Sequence, residues 1–155
     1  MVHFVKGDLL KSDCQYICHQ VNCQKRMGSG IAKQIREKWF AAYEIYMNVA
    51  SPEMLGHIQF AFFRGNIPIQ CVVHMFAQEH YGYDGRRYTS YDAFWSCLGE
   101  IKEKVPKGRK IGFPKGIGCG LGGANWEIIK TMIIEALGEE YEIYIYELED
   151  KNSMT

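Results

Sequence analysis

Two glycine-rich segments, at residues 27–32 and 116–123, constrain the fold of this chain more than any other feature. Each follows a stretch of strand-like composition and leads into a stretch with the periodicity of a helix. Glycine lets the backbone turn its N–H groups toward one point, and the helix N-terminus behind adds positive partial charge. One such loop predicts a bound phosphate group. Two in a chain of 155 residues predict a ligand that carries a diphosphate.

The simpler alternative is that both segments are tight turns between a strand and a helix. One or two glycines would be enough for such a turn. Residues 116–123 contain five glycines in eight positions, and each glycine adds to the conformational entropy lost on folding. We therefore interpret both segments as ligand-binding loops.

The overall charge separates classes of ligand. The 18 Lys and Arg residues balance the 18 Asp and Glu residues, so the net charge at pH 7 is zero. A neutral chain has no long-range attraction for DNA, RNA or an anionic membrane. A nucleotide-sized ligand held by backbone donors remains compatible with this charge.

The cysteines and the apolar stretches predict a cytoplasmic protein that does not associate with a membrane. The six cysteines lack the compact spacing of a secreted disulfide scaffold, and several lie within apolar, strand-like stretches. No stretch has the pattern of a signal peptide or the length of a membrane span. A reducing compartment is the simplest interpretation.

Strand-like and helix-like stretches alternate along the chain. Strands are predicted at residues 2–5, 16–21, 58–63, 69–76, 110–113 and 141–148, and helices at 31–39, from 42, at 90–105 and from 126 after a cap at Asn125. Residues 64–66 are predicted to form a hairpin turn. The expected fold is a three-layer α/β/α sandwich around a mixed, mostly parallel sheet of about six strands. Residues 1–150 are predicted to form a single domain, followed by a polar tail at 151–155.

The second glycine loop also fits a different class of protein. Gly118-x-Gly120-x-x-Gly123 satisfies the dinucleotide fingerprint, so a nicotinamide-cofactor domain is a rival interpretation. That fingerprint normally opens the first βαβ unit of its domain and is followed by several strands. Only one predicted strand follows it here. Neither loop has the form of a nucleoside-triphosphate P-loop.

Three motifs in register resemble the macro domain over most of the chain. They are Gly7-Asp8-Leu9-Leu10, then Val21-Asn22-Cys23 with residues 27–32, and then residues 117–123 with Trp126. The second glycine loop and its tryptophan are most similar to one branch of that family. This branch includes terminal ADP-ribose protein glycohydrolase, ADP-ribose-1″-phosphatase and an antitoxin that removes ADP-ribose from DNA.

The resemblance implies a pocket for ADP-ribose. Asp8 would accept a hydrogen bond from the adenine amine, Tyr146 would pack on adenine, and Asn22 would bind hydroxyls of the distal ribose. The expected ligand-binding residues are Asp8, Leu9, Gly28, Ser29, Gly30, Ile31, Ile117, Gly118, Cys119, Gly120, Leu121, Gly122 and Tyr146. Asp8 and Asn22 also suit an ordinary turn or cap, and Tyr146 an ordinary place in or beside the core.

The catalytic groups of the branch have no clear counterpart in this chain. Its protein glycohydrolase uses a lysine before the penultimate helix and an aspartate in the second glycine loop, where this chain has residues 86–91 and Gly122. The DNA-directed antitoxin uses a lysine after its central strand, where this chain has residues 76–79. We therefore expect water attack at the distal ribose, organised by Asn22 and by His19, which matches a histidine of the 1″-phosphatase members. His19 buried in its strand is the alternative, and His80 and Asp84 are looser candidates.

The expected partners follow from the same resemblance. They are ADP-ribose or a derivative such as ADP-ribose-1″-phosphate or O-acetyl-ADP-ribose, or an ADP-ribosylated protein or nucleic acid as substrate. A module that binds ADP-ribose without turnover is the second hypothesis.

A zinc site is a further possibility that the spacing of three cysteines and a histidine raises: Cys14, Cys18, His19 and Cys23. Cys18 and His19, however, are neighbours on a predicted strand, so their side chains should point to opposite faces. We expect no metal and no cofactor.

Overall fold

A six-stranded sheet forms the centre of the molecule. The computed structural model describes residues 1–63 and 70–148. The strands are β1 (Val2–Lys6), β2 (Tyr16–Asn22), β3 (Ile58–Phe62), β4 (Cys71–Gln78), β5 (Lys110–Pro114) and β6 (Glu142–Glu147). Their order is β1-β6-β5-β2-β4-β3, and every neighbouring pair is parallel except β3 and β4. The mixed, mostly parallel sheet is as predicted.

Helices cover both faces of the sheet, which confirms the three layers. They are α1 (Gly30–Lys38), α2 (Phe40–Val49), α3 (Tyr91–Lys104) and α4 (Trp126–Leu137). Alternation along β2 shows the two sides, because Ile17 packs with residues of α1 and α2 whereas its neighbour Cys18 packs with residues of α3. Two short 3-10 helices, Leu9–Lys11 and Pro52–Met54, lie in the connections. None of the helices within residues 1–63 and 70–148 has both the length and the hydrophobicity that a membrane crossing needs.

Element boundaries differ from the sequence prediction by two residues at two places and by one residue at most others. The strand predicted at 69–76 is β4, which ends at Gln78, because the polar Gln78 still pairs with Asn22 of β2. The second helix begins at Phe40 instead of residue 42, directly after Trp39 interrupts the helical path with φ −131° and ψ 78°. The predicted turn at 64–66 and tail at 151–155 lie outside the described residues.

The sheet opens between its two central strands. β2 and β5 pair only through Tyr16 with Ile111 and Ile17 with Gly112, near the start of each strand. Beyond these pairs the carboxyl ends of the two strands are no longer bridged. β4 and β3 lie on one side of β2, and β5, β6 and β1 lie on the other. A crevice outside the carboxyl ends of such strands is the usual ligand position in open α/β sheets.

Candidate ligand-binding site

A cavity of about 830 Å³ lies at the carboxyl ends of β2, β4 and β5. Its volume is within the range of small-molecule sites, which is roughly 300–1,000 Å³. Both glycine-rich loops contribute to its wall, together with the segment that follows β4. The lining residues are Gln20, Val21, Asn22, Arg26, Gly28, Ser29, Gly30, Ile31, Ala32, Gln78, Tyr81, Gly82, Tyr83, Pro114, Lys115, Gly116, Ile117, Gly118, Gly120, Leu121 and Gly122.

The structure brings most of the predicted ligand-binding residues to this cavity. Asn22 and nine of the thirteen predicted ligand-binding residues line it: Gly28, Ser29, Gly30, Ile31, Ile117, Gly118, Gly120, Leu121 and Gly122. Asp8, Leu9, Cys119, Tyr146 and His19 do not. Cys119 packs beside the core, and its thiol lies 3.3 Å from the carbonyl oxygen of Ile117.

The first glycine loop ends in a helix N-terminus without a side-chain cap. Ser29 is the N-cap residue of α1, but its hydroxyl accepts no hydrogen bond from the helix. The N–H groups of Gly30, Ile31 and Ala32 have no acceptor within the described chain, and all three residues line the cavity. Ser90 of α3 and Asn125 of α4, in contrast, both accept bonds from their first turns. The α1 terminus therefore offers the cavity both N–H donors and positive partial charge.

The second glycine loop presents further donors. Among the described residues, the N–H groups of Gly118, Gly120, Leu121 and Gly122 have no protein acceptor. Gly118 has φ +76°, a backbone conformation that residues with a side chain rarely adopt. A Cβ at Gly122 would lie 2.5 Å from the carbonyl oxygen of Gly118 and 2.5 Å from Oγ1 of Thr89. Glycine at these positions is a requirement of the loop geometry.

The charged groups of the cavity wall are cationic. Arg26 and Lys115 line it, and no Asp or Glu does so within residues 1–63 and 70–148. Lys115 Nζ lies 3.0 Å from Glu147, so its charge is partly balanced. A wall with this charge and many N–H donors suits an anionic ligand.

Asn22 holds the turn that leads into the first glycine loop. Its Oδ1 accepts bonds from Gln24 N–H at 2.9 Å and from the Tyr46 hydroxyl at 2.8 Å. Its Nδ2 donates to the carbonyl oxygen of Arg26 at 2.9 Å. One amide hydrogen is left for a ligand, because Nδ2 carries two. Both the turn role and the binding role that the sequence allowed are therefore compatible with its geometry.

Asp8 and Tyr146 lie at the same edge of the sheet as the cavity, beside it. Asp8 follows β1 and caps the 3-10 helix Leu9–Lys11 by accepting a bond from Leu10 N–H at 2.9 Å. The Tyr146 ring lies 3.7 Å from the position of a Cβ on Gly7. The Tyr146 carbonyl oxygen accepts a bond from the N–H of Lys115, which connects this region to the cavity wall. Leu9 is buried in the core.

His19 does not lie at the cavity, contrary to the role of acid or base expected for it. It is fully buried, and its Nε2 lies 2.7 Å from Nδ1 of His74 on β4. His74 Nε2 lies 2.9 Å from the carbonyl oxygen of Ala42, so it carries the ring proton and donates a hydrogen bond there. His74 Nδ1 therefore accepts a hydrogen bond from the Nε2–H of His19. Burial, with a smaller contribution from His74, holds the pKa of His19 well below its usual value. Burial lowers the pKa of His74 to about 4.

Sequence reasoning missed several residues at the cavity. Gln20 Nε2 donates to Oε1 of Gln78 at 2.8 Å and to the Thr89 hydroxyl at 2.7 Å. Thr89 in turn donates to the Gly118 carbonyl oxygen at 2.8 Å. This network joins β2, β4 and the second glycine loop. Strand periodicity places Gln20 on the face opposite His19, but no pattern in the sequence indicates which glutamines and threonine meet there.

The remaining candidates from the sequence, His80 and Asp84, do not line the cavity. His80 is exposed, with Nε2 3.8 Å from Glu79. Asp84 accepts bonds from Arg86 and Tyr88, which lower the pKa of its carboxyl to about 2. In the part of the chain that the structure describes, no group of three or more His, Cys, Asp or Glu is placed to hold a metal ion.

Comparison with known proteins gives a curated relative and several solved structures that are similar to this chain. No protein-family model matches the chain. A curated relative, the DNA ADP-ribosyl glycohydrolase of Thermus aquaticus, is 28% identical over 152 residues, which is 95% of this chain and 41% of the relative. The chain therefore spans less than half of that protein.

Solved structures agree with the topology. The macrodomain of Thermus aquaticus DarG superimposes with a TM-score of 0.77 and 22% identity, covering 94% of this chain and 97% of that one. Thermosipho africanus DarTG in complex with ADP-ribose gives a TM-score of 0.73 and 18% identity over 92% of this chain and 41% of that one. The chain therefore has the fold of these macrodomains.

Proposed function

We propose that the cavity binds ADP-ribose, with the diphosphate between the two glycine loops. The observation that carries this proposal is the meeting of two sets of N–H groups without protein acceptors, from α1 and from residues 118–122, at one cavity with a cationic wall. The solved complex of Thermosipho africanus DarTG with ADP-ribose supports the choice of ligand, because that protein shares the fold.

The orientation of the ligand follows from the side chains at each end. Asp8 and Tyr146 would bind adenine beside the cavity, since an acceptor-only carboxylate suits the exocyclic amine and an aromatic ring suits the base. The free amide hydrogen of Asn22 would donate to a hydroxyl of the distal ribose. This arrangement places the diphosphate across the mouth of the opening between β2 and β5.

We further propose that the protein hydrolyses an ADP-ribose derivative by attack of water at the distal ribose. The relative described as a DNA ADP-ribosyl glycohydrolase favours such an activity. The substituent on the distal ribose would be a phosphate, an acyl group or a macromolecule. Asn22 would position the ribose, and a phosphate oxygen of the substrate would accept the proton of the attacking water, because an amide cannot act as a base at neutral pH. The bond between the distal ribose and its substituent would break, and the substituent would leave with the bonding electron pair and take up that proton.

A second candidate is a module that binds ADP-ribose without turnover. The specific observation in its favour is that no Asp, Glu or His of the described residues lines the cavity, and that His19 is bonded to His74 in the core. Both functions share the same ligand site. A nicotinamide-cofactor domain agrees less well, because its fingerprint loop follows the first strand of the sheet whereas this loop follows β5.

Titration and turnover experiments test these proposals. Calorimetry should show ADP-ribose binding near micromolar strength, and NAD should compete more weakly than ADP-ribose. Absence of heat at millimolar ADP-ribose would contradict the binding proposal. Turnover of ADP-ribose-1″-phosphate, O-acetyl-ADP-ribose or ADP-ribosylated protein or DNA would establish a hydrolase. Binding without turnover of any of these substrates would establish the reader function.

A further inference from the structure

The segment at residues 79–88, here called the aromatic cap, spans the cavity between its two walls. At one end the carbonyl oxygen of Glu79 accepts a bond from Cys23 N–H at 3.0 Å, next to Asn22. At the other end the N–H groups of Tyr88 and Thr89 donate to the carbonyl oxygen of Gly122, at 2.9 and 3.0 Å. The cap is therefore joined to the strand that precedes the first glycine loop and to the second glycine loop itself.

Bonds within the cap hold its shape. Asp84 accepts from the Arg86 side chain at 2.8 Å, from Arg86 N–H at 3.1 Å and from the Tyr88 hydroxyl at 2.9 Å. Gly82 passes so close to Tyr88 that a Cβ would lie 2.1 Å from its hydroxyl oxygen. These contacts hold residues 82–88 in a turn beside the cavity.

Two tyrosines of the cap face the cavity. Tyr81 and Tyr83 both line it, and their rings meet edge to face with centroids 6.4 Å apart. Tyr83 is 73% exposed and Tyr81 is 40% exposed, so neither ring belongs to the core. Large exposed aromatic side chains on the wall of a cavity are suited to contact a ligand.

The position of the cap indicates which part of the ligand it would contact. Its first anchor is beside Asn22, whereas Asp8 and Tyr146, expected at adenine, do not line the cavity. The N–H groups of the glycine loops suit phosphate oxygens, but a sugar also presents a carbon face and hydroxyl groups that both donate and accept. A tyrosine ring can pack on the carbon face of the sugar, and its hydroxyl can bond to the sugar hydroxyls.

We propose that Tyr81 and Tyr83 bind the distal ribose and make the site selective for ligands with a sugar beyond the diphosphate. This inference rests on the proposed binding of ADP-ribose. The tyrosines are specificity-determining residues, since they contact the part of the ligand that distinguishes ADP-ribose from ADP. They lie after β4, where the resemblance would place the lysine of the DNA-directed antitoxin.

Calorimetric titration with both ADP-ribose and ADP tests the inference. Tyr83→Ala and Tyr81→Ala should each weaken ADP-ribose binding about 5- to 20-fold, which is the loss of one aromatic contact, and should leave ADP binding unchanged. Trp95→Ala is the matched control, because Trp95 on α3 is 49% exposed and does not line the cavity. Thermal unfolding of each variant confirms that it is folded.

The outcomes separate the two proposals. An unchanged affinity of both tyrosine variants for ADP-ribose, or an equal loss for ADP and ADP-ribose, would overturn the role of the cap while the binding proposal stands. Failure of the wild-type protein to bind ADP-ribose would overturn both. A loss confined to ADP-ribose, absent from Trp95→Ala, would support the inference.

Discussion

At Gly122 the backbone leaves no room for a side chain. The resemblance to protein glycohydrolases places a catalytic aspartate at this position, but the Gly118 carbonyl oxygen and the Thr89 hydroxyl occupy the space that its Cβ would need. Thr89 is itself held by Gln20 and by Gly118. The conformation of the loop therefore has no space for an aspartate side chain at this position. A single substitution would introduce the carboxylate only by displacing these neighbours.

We expect Gly122→Asp to lower the free energy of unfolding by about 1–3 kcal/mol, as overpacking at a tight position does. Gly120→Ala is the matched control, since a Cβ at Gly120 meets no atom within 4 Å. Chemical denaturation of the two variants checks the difference. Equal stability of Gly122→Asp and wild type would show that the loop can move aside.

Some residues of the candidate site could be predicted from the sequence, and others could not. The type and order of Asn22 and the two glycine loops were sufficient to place them at one site, because each follows a strand in a predicted parallel sheet. The burial of His19 depends on His74, which is 55 positions away along the chain. No local pattern reveals such a pair, and the packing favours the alternative that the sequence left open, in which His19 is buried in its strand.

Among the helices, α1 differs from α3 and α4 at its start. The latter two begin with side-chain caps, whereas the first turn of α1 has donors that no side chain satisfies. A cap stabilises a helix, and an open terminus leaves its donors available to an anion. α2 also begins without a side-chain cap, but none of its residues lines the cavity, so α1 is the uncapped α-helix whose first turn lies at the ligand site.

Substitution of the two serine N-caps should separate these roles. Ser90→Ala removes the bond from Ala93 N–H and should cost about 1 kcal/mol of unfolding free energy, with ADP-ribose affinity unchanged. Ser29→Ala removes no cap bond and should change stability by less than about 0.5 kcal/mol. Thermal denaturation with calorimetry measures both effects. A larger loss in Ser29→Ala than in Ser90→Ala would contradict this account.

The histidine pair joins β2 and β4 to α2 and makes stability depend on pH. Both pKa values are lowered in the folded state, to about 4 for His74, so the unfolded chain takes up protons before the folded chain does. Stability should therefore fall as the pH decreases from roughly 6.5 to about 4, by on the order of 3 kcal/mol for His74 alone.

The double variant His19→Leu/His74→Leu is the control for this prediction. It removes both titrating rings and keeps every other ionisable group of the chain. Its unfolding free energy should vary less with pH than that of the wild type over the same range. Parallel pH profiles of the two proteins would show that the pair does not titrate as proposed.

At the scale of the whole molecule, the layered architecture was predictable and the site was predictable in part. Alternating periodicities indicated the strands and helices, and the parallel sheet brought the ends of its central strands together. Distant partners were not predictable. The Gln20 network and the joining of the cap to Gly122 arise from contacts between segments far apart in the chain.

The short pairing of β2 with β5 has a consequence for how the two halves of the sheet are coupled. The half with β3, β4 and β2 carries the first glycine loop, and the half with β5, β6 and β1 carries the second. Near their carboxyl ends these halves share no ladder of their own. A diphosphate bound by both loops would therefore connect the two halves where β2 and β5 are not paired. Ligand binding would then make the central sheet more rigid.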